Sequence, residues 1–125
     1  MRDGLLFVLS GGISRVLRES YPAALGTCLA LVLEFERIEA ERAHELLVLA
    51  VGEDGEEIAR VQAEVRVENA QRAKPGENVH LPIAVDLRGV VLEKVGAYEL
   101  RVYVDGEHRR ALQLWAEPLP GTLEL

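Results

Sequence analysis

The sequence predicts an all-β fold, a two-layer antiparallel β-sandwich of seven or eight strands. Three segments alternate apolar and polar residues with a period of two, which is the spacing of a half-buried strand. The longest is IARVQAEVRVE, where every second residue from Ala59 to Val67 is apolar. Turn signals recur about every ten residues, and two of them are Asp-Gly pairs, at Asp54 and Asp105. This pattern is typical of an antiparallel sandwich.

Eight strands follow from the alternation and the turns. They comprise residues 4–10, 13–18, 27–36, 44–52, 57–68, 78–86, 97–105 and 108–116. The inward-facing residues expected to be buried are Val61, Val65, Leu81, Ile83, Leu100, Val102 and Leu112. Residues 117–125, with two prolines and a glycine, are predicted to be an irregular tail of a single domain, 1–125.

Glycines mark the predicted turns. Gly55 and Gly106 follow aspartates in hairpins, where glycine tolerates a positive φ. Gly11 and Gly12 follow a strand in SGGISR and predict a bulge or corner, since no phosphate-loop spacing continues from them. A short helix within IEAERAHELLVLAV is the alternative to a strand. Because ELLVLAV leads directly into a turn, we predict a central strand buried on both faces.

Composition excludes several classes of function. The chain has 125 residues, a net charge of −7 and a pI near 5.0, so contacts with nucleic acid or an anionic membrane are not expected. Its single cysteine, Cys28, cannot form an internal disulfide and is expected to be a buried thiol in an apolar strand. The start MRDG lacks the charged and apolar regions of a signal peptide, which predicts a cytoplasmic protein.

The residues that usually carry chemistry are sparse. The histidines lie far apart in the sequence, are expected to be exposed at strand ends, and lack metal-ligand spacing: His44, His80 and His108. Acidic pairs on the hairpin tips would need further oxygen ligands to bind calcium. No Ser lies in a nucleophile elbow. We therefore predict no catalytic residue, metal ligand or cofactor.

Tyr98 carries the most specific structural signal. It opens a strand in LEKVGAYELRV, the pattern of the tyrosine corner of immunoglobulin-like sandwiches, in which the phenol bonds to a nearby backbone group. The alternative is a tyrosine that only packs.

Four stretches together resemble a family of small uncharacterised bacterial β-sandwich proteins of unknown function. They are LFVLSGGISRV, LALVLEF, RAHELLVLAVGEDGEEIARV and GAYELRVYVDGEH. These motifs are structural, so the resemblance implies a fold and leaves the function open. Such relatives carry an additional strand before the Asp-Gly at the start, which this chain lacks. Truncation, a tolerated loss, or a strand from another chain would each account for this.

The favoured function is a non-enzymatic interaction or structural module that associates through a sheet edge or an apolar face. The interface candidates are Leu5, Phe7, Leu9 and Trp115. A strand at Leu5 without its hairpin neighbour predicts a homodimer or a protein partner, because an unpaired edge accepts a further strand. The alternative for that edge is coverage by the tail PLPGTLEL. The alternative function is a sandwich with a small-ligand or metal site in its loops.

Overall fold

The computed structural model describes residues 5–7, 15–67, 74 and 77–119. Within them the chain forms short and long strands and one turn of helix. The strands are β1 (Leu5–Phe7), β2 (Arg15–Arg18), β3 (Ala23–Ala24), β4 (Cys28–Glu36), β5 (His44–Val51), β6 (Glu57–Val65), β7 (Asn78–Asp86), β8 (Val91–Leu92), β9 (Gly96–Val104) and β10 (Glu107–Pro118). The helix, α1, comprises Arg37–Ala40. The all-β class predicted from the alternation is confirmed.

Two sheets form the sandwich. The larger has five strands in the order β2-β10-β9-β5-β6, and the smaller has three in the order β1-β4-β7. A two-stranded ladder joins β3 to β8. All pairs are antiparallel except that of β2 with β10, which is parallel. The separation of β4 and β7 from β5, β9 and β10 is the division of strands found in immunoglobulin-like sandwiches.

The core lies between the inner faces of the sheets. Alternate residues of β4 are buried against alternate residues of β5 and β9, so both sheets contribute to one apolar cluster. Its largest fully buried side chains are Leu25, Leu29, Leu31, Leu33, Leu92, Val48 and Val102. Leu100 and Val102, which the period-two pattern predicts to be buried, belong to this cluster.

Each predicted strand corresponds to an observed one, but the two-residue strands β3 and β8 were not predicted. The other differences lie at strand ends. The tail was expected to begin at residue 117, but Glu117 and Pro118 continue β10 and pair with Leu17 and Arg18 of β2. Pro118 can occupy a strand end because only one of its sides needs a ladder hydrogen bond. The remainder of the tail, 120–125, lies outside the described residues.

The hairpin turns adopt the conformations that their sequences favour. Asp105 and Gly106 have φ values of 53° and 83°, and positive φ at both positions defines a type I′ turn between β9 and β10. Gly55 has a φ of 84°, and its N–H donates to Gly52 O at 3.0 Å in the turn between β5 and β6.

The segment around β5 combines both sequence interpretations. One helical turn, α1, ends at Ala40, and the strand begins at His44. β5 is central between β6 and β9, as predicted, but only its inner face is fully buried. Leu47 and Leu49 on the outer face are half-buried, because no further layer of described residues covers that side.

Candidate functional site

Among the described residues, one side of the sandwich is open, where β6 ends the larger sheet and β7 ends the smaller. We use the term open side for the inward-facing rows of these strands: Ala59, Val61, Ala63 and Val65 of β6, with Val79, Leu81 and Ile83 of β7. Val61, Val65, Leu81 and Ile83 were predicted to be buried and are only partly so. The alternation identified the correct face, but it does not reveal which strands are outermost. Leu112 is likewise only partly buried.

A groove continues the open side toward the turn after β7. Its walls include Ile58 and Val61 from the β6 side and Asp86, Val90 and Val91 from the other. Val91 is 47% exposed although it is a large apolar residue. Apolar surface therefore extends from the edge strand into a concave feature, which is a common property of interaction sites.

Charged residues lie on the outward-facing row of β6. Arg60 Nε and Nη2 donate to the two carboxylate oxygens of Glu57 at 2.9 and 3.0 Å. This hydrogen bond lowers the pKa of the Glu57 carboxyl. Glu64 lies directly opposite Glu45 of β5, and both are exposed. Like charges facing each other across a ladder destabilise it.

The outer face of the larger sheet carries a second apolar surface, which we call the outer patch: Leu17, Ala97 and Trp115. Trp115 is 44% exposed and lies opposite Ala97 of β9 and Arg15 of β2. Leu17 is 37% exposed. An ion pair between Arg15 and Glu117, at 3.7 Å, flanks the indole. Trp115 therefore has the solvent exposure that an interface residue would need.

The predicted edge near the start of the chain is described only in part. β1 ends the smaller sheet and pairs with β4, with Leu5 opposite Leu33 and Phe7 opposite Leu31. The interface candidate Leu9 and the corner glycines Gly11 and Gly12 lie outside the described residues, as does the turn at Asp3.

His44 contradicts the expectation of an exposed imidazole. It is 3% exposed, and its ring stacks on Phe35 with a centroid separation of 4.3 Å. Its Nδ1 lies 2.6 Å from Asp105 Oδ2, and Glu45 N–H donates to Asp105 Oδ1 at 2.9 Å. Asp105, in the short turn after β9, therefore connects this turn to β5. The Asp-Gly pattern predicted the turn but gave no indication of the histidine partner.

Tyrosine hydroxyls anchor two other places in the fold. Tyr98 is buried, and its hydroxyl donates to Lys94 O at 2.6 Å while accepting from Lys94 N–H at 3.2 Å. This is the backbone bond of a tyrosine corner. The hydroxyl of Tyr21 lies 2.8 Å from Glu117 O and 3.0 Å from Val16 O, so it can donate to either strand of the parallel pair. Nothing in the sequence around Tyr21 signals this role.

The alternative function, a small-ligand or metal site, would lie in the loops. A pocket between the β5–β6 and β8–β9 turns is lined by Glu53, Asp54, Glu56 and Glu93 together with Lys94. Within the described residues, no group of three or more His, Cys, Asp or Glu side chains is placed to hold a metal ion.

The remaining sequence candidates are dispersed. His80 lies 3.5 Å from Glu34 on the smaller sheet, and His108 contacts the ring of Tyr103 edge-on at 5.2 Å. Cys28 was expected to be buried but is exposed, because it begins β4 with its side chain on the outward-facing row. Over the part of the chain that the structure describes, no helix is long and apolar enough to cross a membrane.

A model described as a family of unknown function (DUF6941) matches residues 2–117. No curated protein matches the chain.

Proposed function

Because the chain belongs to the DUF6941 family, whose function is unknown, we propose a role from its surfaces: a non-enzymatic interaction module that associates with a second copy of itself. The observation that carries this proposal is the open side. Two edge strands there expose residues that their alternation marks as core. The proposed setting is a bacterial cytoplasm, which suits a chain without an internal disulfide.

The exposed inner rows explain why a partner is favoured. Ala63 lies opposite Leu46, which is 2% exposed, yet Ala63 itself is exposed. The two residues share one face of the sheet, and only the neighbour nearer the middle is covered. A second copy that packs against β6 would cover Ala63 and its neighbours on the inner row, and would remove this apolar surface from water.

The composition of the chain also favours self-association. Apolar residues make up 49% of the chain and its mean hydropathy is +0.07, so an apolar surplus remains for an interface. A contact between identical surfaces is self-complementary about a twofold axis, and such dimers are the most common oligomers.

Light scattering or sedimentation from about 1 to 100 μM is the direct test, a range that brackets dissociation constants of weak dimers. We expect a mass that rises with concentration from one chain, 13.8 kDa, toward two. The informative variant is Ala63→Lys, because Ala63 is exposed and a lysine can be accommodated in the monomer. It should shift the protein toward the monomer.

Ala111→Lys is the matched control. Ala111 is also exposed, but it lies on the outer face of β10, opposite Arg101. Association that is unchanged in this variant and lost in Ala63→Lys would support the open side. A single-chain mass at every concentration would refute the proposal.

A second candidate surface is the outer patch, favoured by the exposure of Trp115. Trp115 is the only tryptophan in the chain, so its fluorescence reports on this surface alone. Emission that moves to shorter wavelength as the mass increases would place the contact at the outer patch. Emission that stays constant would leave the open side as the interface.

A further inference from the structure

We propose that two copies pair through β6, antiparallel and centred on Gln62, so that two five-stranded sheets become one sheet of ten strands. The inference rests on the proposed function in one respect, the identity of the partner as a second copy. It adds the strand, the orientation and the register.

β6 has a free edge among the described residues, since it ends the larger sheet and pairs there only with β5. Its ladder with β5 is regular from Val65 to Ala59 and becomes irregular beyond, where Val51 pairs with Glu57. Gln62 is the midpoint of this regular segment of seven residues. A twofold axis at Gln62 therefore pairs the whole regular segment with its copy.

This register is complementary on both faces of the sheet. On the outward-facing row, Arg60 lies opposite the partner's Glu64, and the symmetric contact repeats the pair. On the inward-facing row, Val61 lies opposite the partner's Ala63 and Ala59 opposite the partner's Val65. Opposite charges and apolar residues directly across a ladder both stabilise pairing.

Neighbouring registers are less favourable. Residues that face each other across the pair must have their side chains on the same side of the sheet. The twofold axis can therefore move along β6 from one residue to the next, and each such move shifts the pairing by two residues. Centring on Val61 places Arg60 opposite the partner's Gln62 and Glu64 opposite the partner's Ile58. Centring on Ala63 places Arg60 opposite the partner's Arg66, which brings like charges together.

The monomer also contains an unfavourable contact that this pairing relieves. Glu64 faces Glu45 across the β5–β6 ladder, and both carboxylates are exposed. The partner's Arg60 would lie on the other side of Glu64. Within one chain Arg60 uses Nε and Nη2 to bind Glu57, which leaves Nη1 free to donate to the partner's carboxylate.

The other long edge is less suitable for strand addition. β7 contains Pro82 in its middle, opposite Val32 of β4. Proline cannot donate a backbone hydrogen bond and is a common protector of edge strands. β6 contains no proline.

Cysteine crosslinking tests the register. In a Cys28→Ser background, Gln62→Cys places two thiols at the twofold axis, where opposite Cβ atoms are about 4.5–5.5 Å apart. We expect rapid formation of a covalent dimer by mild oxidation or a short thiol crosslinker. Gln113→Cys is the matched control, because Gln113 is exposed on β10, inside the sheet, and should crosslink at least tenfold more slowly.

Charge reversal provides an independent readout. Arg60→Glu and Glu64→Arg each create like-charge contacts at two symmetric positions, and each should weaken association about tenfold or more. The double variant restores both pairs in reversed order and should recover affinity to within about threefold. Circular dichroism of each variant checks that the fold is retained.

The outcomes separate the two proposals. A dimer whose affinity is unchanged by both charge reversals, and which crosslinks no faster at position 62 than at position 113, would overturn the β6 register. Self-association itself would still be supported. A monomer at every concentration would overturn both.

Discussion

The imidazole of His44 and the carboxylate of Asp105 lie 2.6 Å apart, which joins the first residue of a central strand to the turn of a distant hairpin. The imidazole is almost completely buried, whereas the Asp105 side chain is 45% exposed. Asp105 N–H also donates to Glu45 O at 2.8 Å, so backbone and side chain both hold the turn against β5. The hairpin is thereby fixed where β5 begins and β9 ends.

Asp105→Asn should destabilise the protein by about 1 kcal/mol at neutral pH, since it weakens hydrogen bonds to a charged group that is partly solvated. Asparagine tolerates the φ of 53° at this position, so backbone strain does not contribute. Asp54→Asn, in the other Asp-Gly turn, is the matched control and should change the free energy of unfolding by much less. Chemical denaturation measures both, and equal losses would contradict a specific His44 contact.

The same pair predicts a pH dependence in acid. Partial burial of Asp105 disfavours its charge, but hydrogen bonds from His44 and Glu45 N–H outweigh this and lower the pKa of the carboxyl. The folded state therefore binds this proton less readily than the unfolded chain. The contribution is complete above the unfolded pKa of about 4 and is lost as pH falls through the lower folded pKa. The difference in melting temperature between the native protein and Asp105→Asn should shrink from pH 7 to pH 3.

Tyr98→Phe should cost about 1 kcal/mol, because the backbone groups of Lys94 lose a buried hydroxyl partner while the ring continues to pack. The measurement is the midpoint of denaturant unfolding at constant slope. A phenylalanine variant as stable as the native protein would mean that water replaces the hydroxyl, and that Tyr98 contributes only packing.

The extent to which the sequence predicts this fold depends on whether a feature is local. Alternation and turn residues are local, and they locate eight of the strands and the hairpins at Asp54 and Asp105 to within a few residues. The strands β3 and β8 have two residues each, which is too short for an alternating pattern. The position of a strand in its sheet is not local. Val61 and Val102 have the same apolar pattern, yet one lies on an edge strand and the other in the middle of the sheet.

For the interaction surfaces, too, local features could be predicted from the sequence and non-local ones could not. Trp115 could be selected as an interface candidate from its type and position, and it is 44% exposed, so its role in an interface stays a prediction. The open side could not be predicted, because it depends on which strands end two separate sheets. His44 was misjudged for a related reason: its neighbours in sequence are polar, but its neighbours in space are Phe35 and Asp105.

Gly96→Ala should destabilise the protein by about 1–3 kcal/mol, the usual range for a side chain forced into an unfavourable backbone conformation. Gly96 has a φ of 143°, and an added Cβ would lie 3.2 Å from Glu53 Oε1. Gly89→Ala is the matched control, because no atom lies within 4 Å of its added Cβ. Thermal unfolding compares the two, and a Gly96→Ala protein as stable as the control would indicate that the start of β9 adapts freely.

The last prediction compares the same truncation, valine to alanine, at a covered position and on the open side. Both valines lie opposite Val48 of β5, Val102 on the neighbouring strand β9 and Val61 on the neighbouring strand β6. Val102 is 0% exposed, and its truncation should cost about 2–3 kcal/mol for lost burial and the cavity left behind.

The same change at Val61 should cost about 1 kcal/mol in the dilute protein, because part of that side chain already contacts water. At concentrations where a second copy covers β6, the cost at Val61 should rise toward that at Val102, whereas the cost at Val102 should stay constant. Unfolding followed at about 1 and 100 μM measures this, since linkage makes the stability of an associating protein depend on its concentration. A cost at Val61 equal to that at Val102 in the dilute protein would mean that β6 is already covered within one chain.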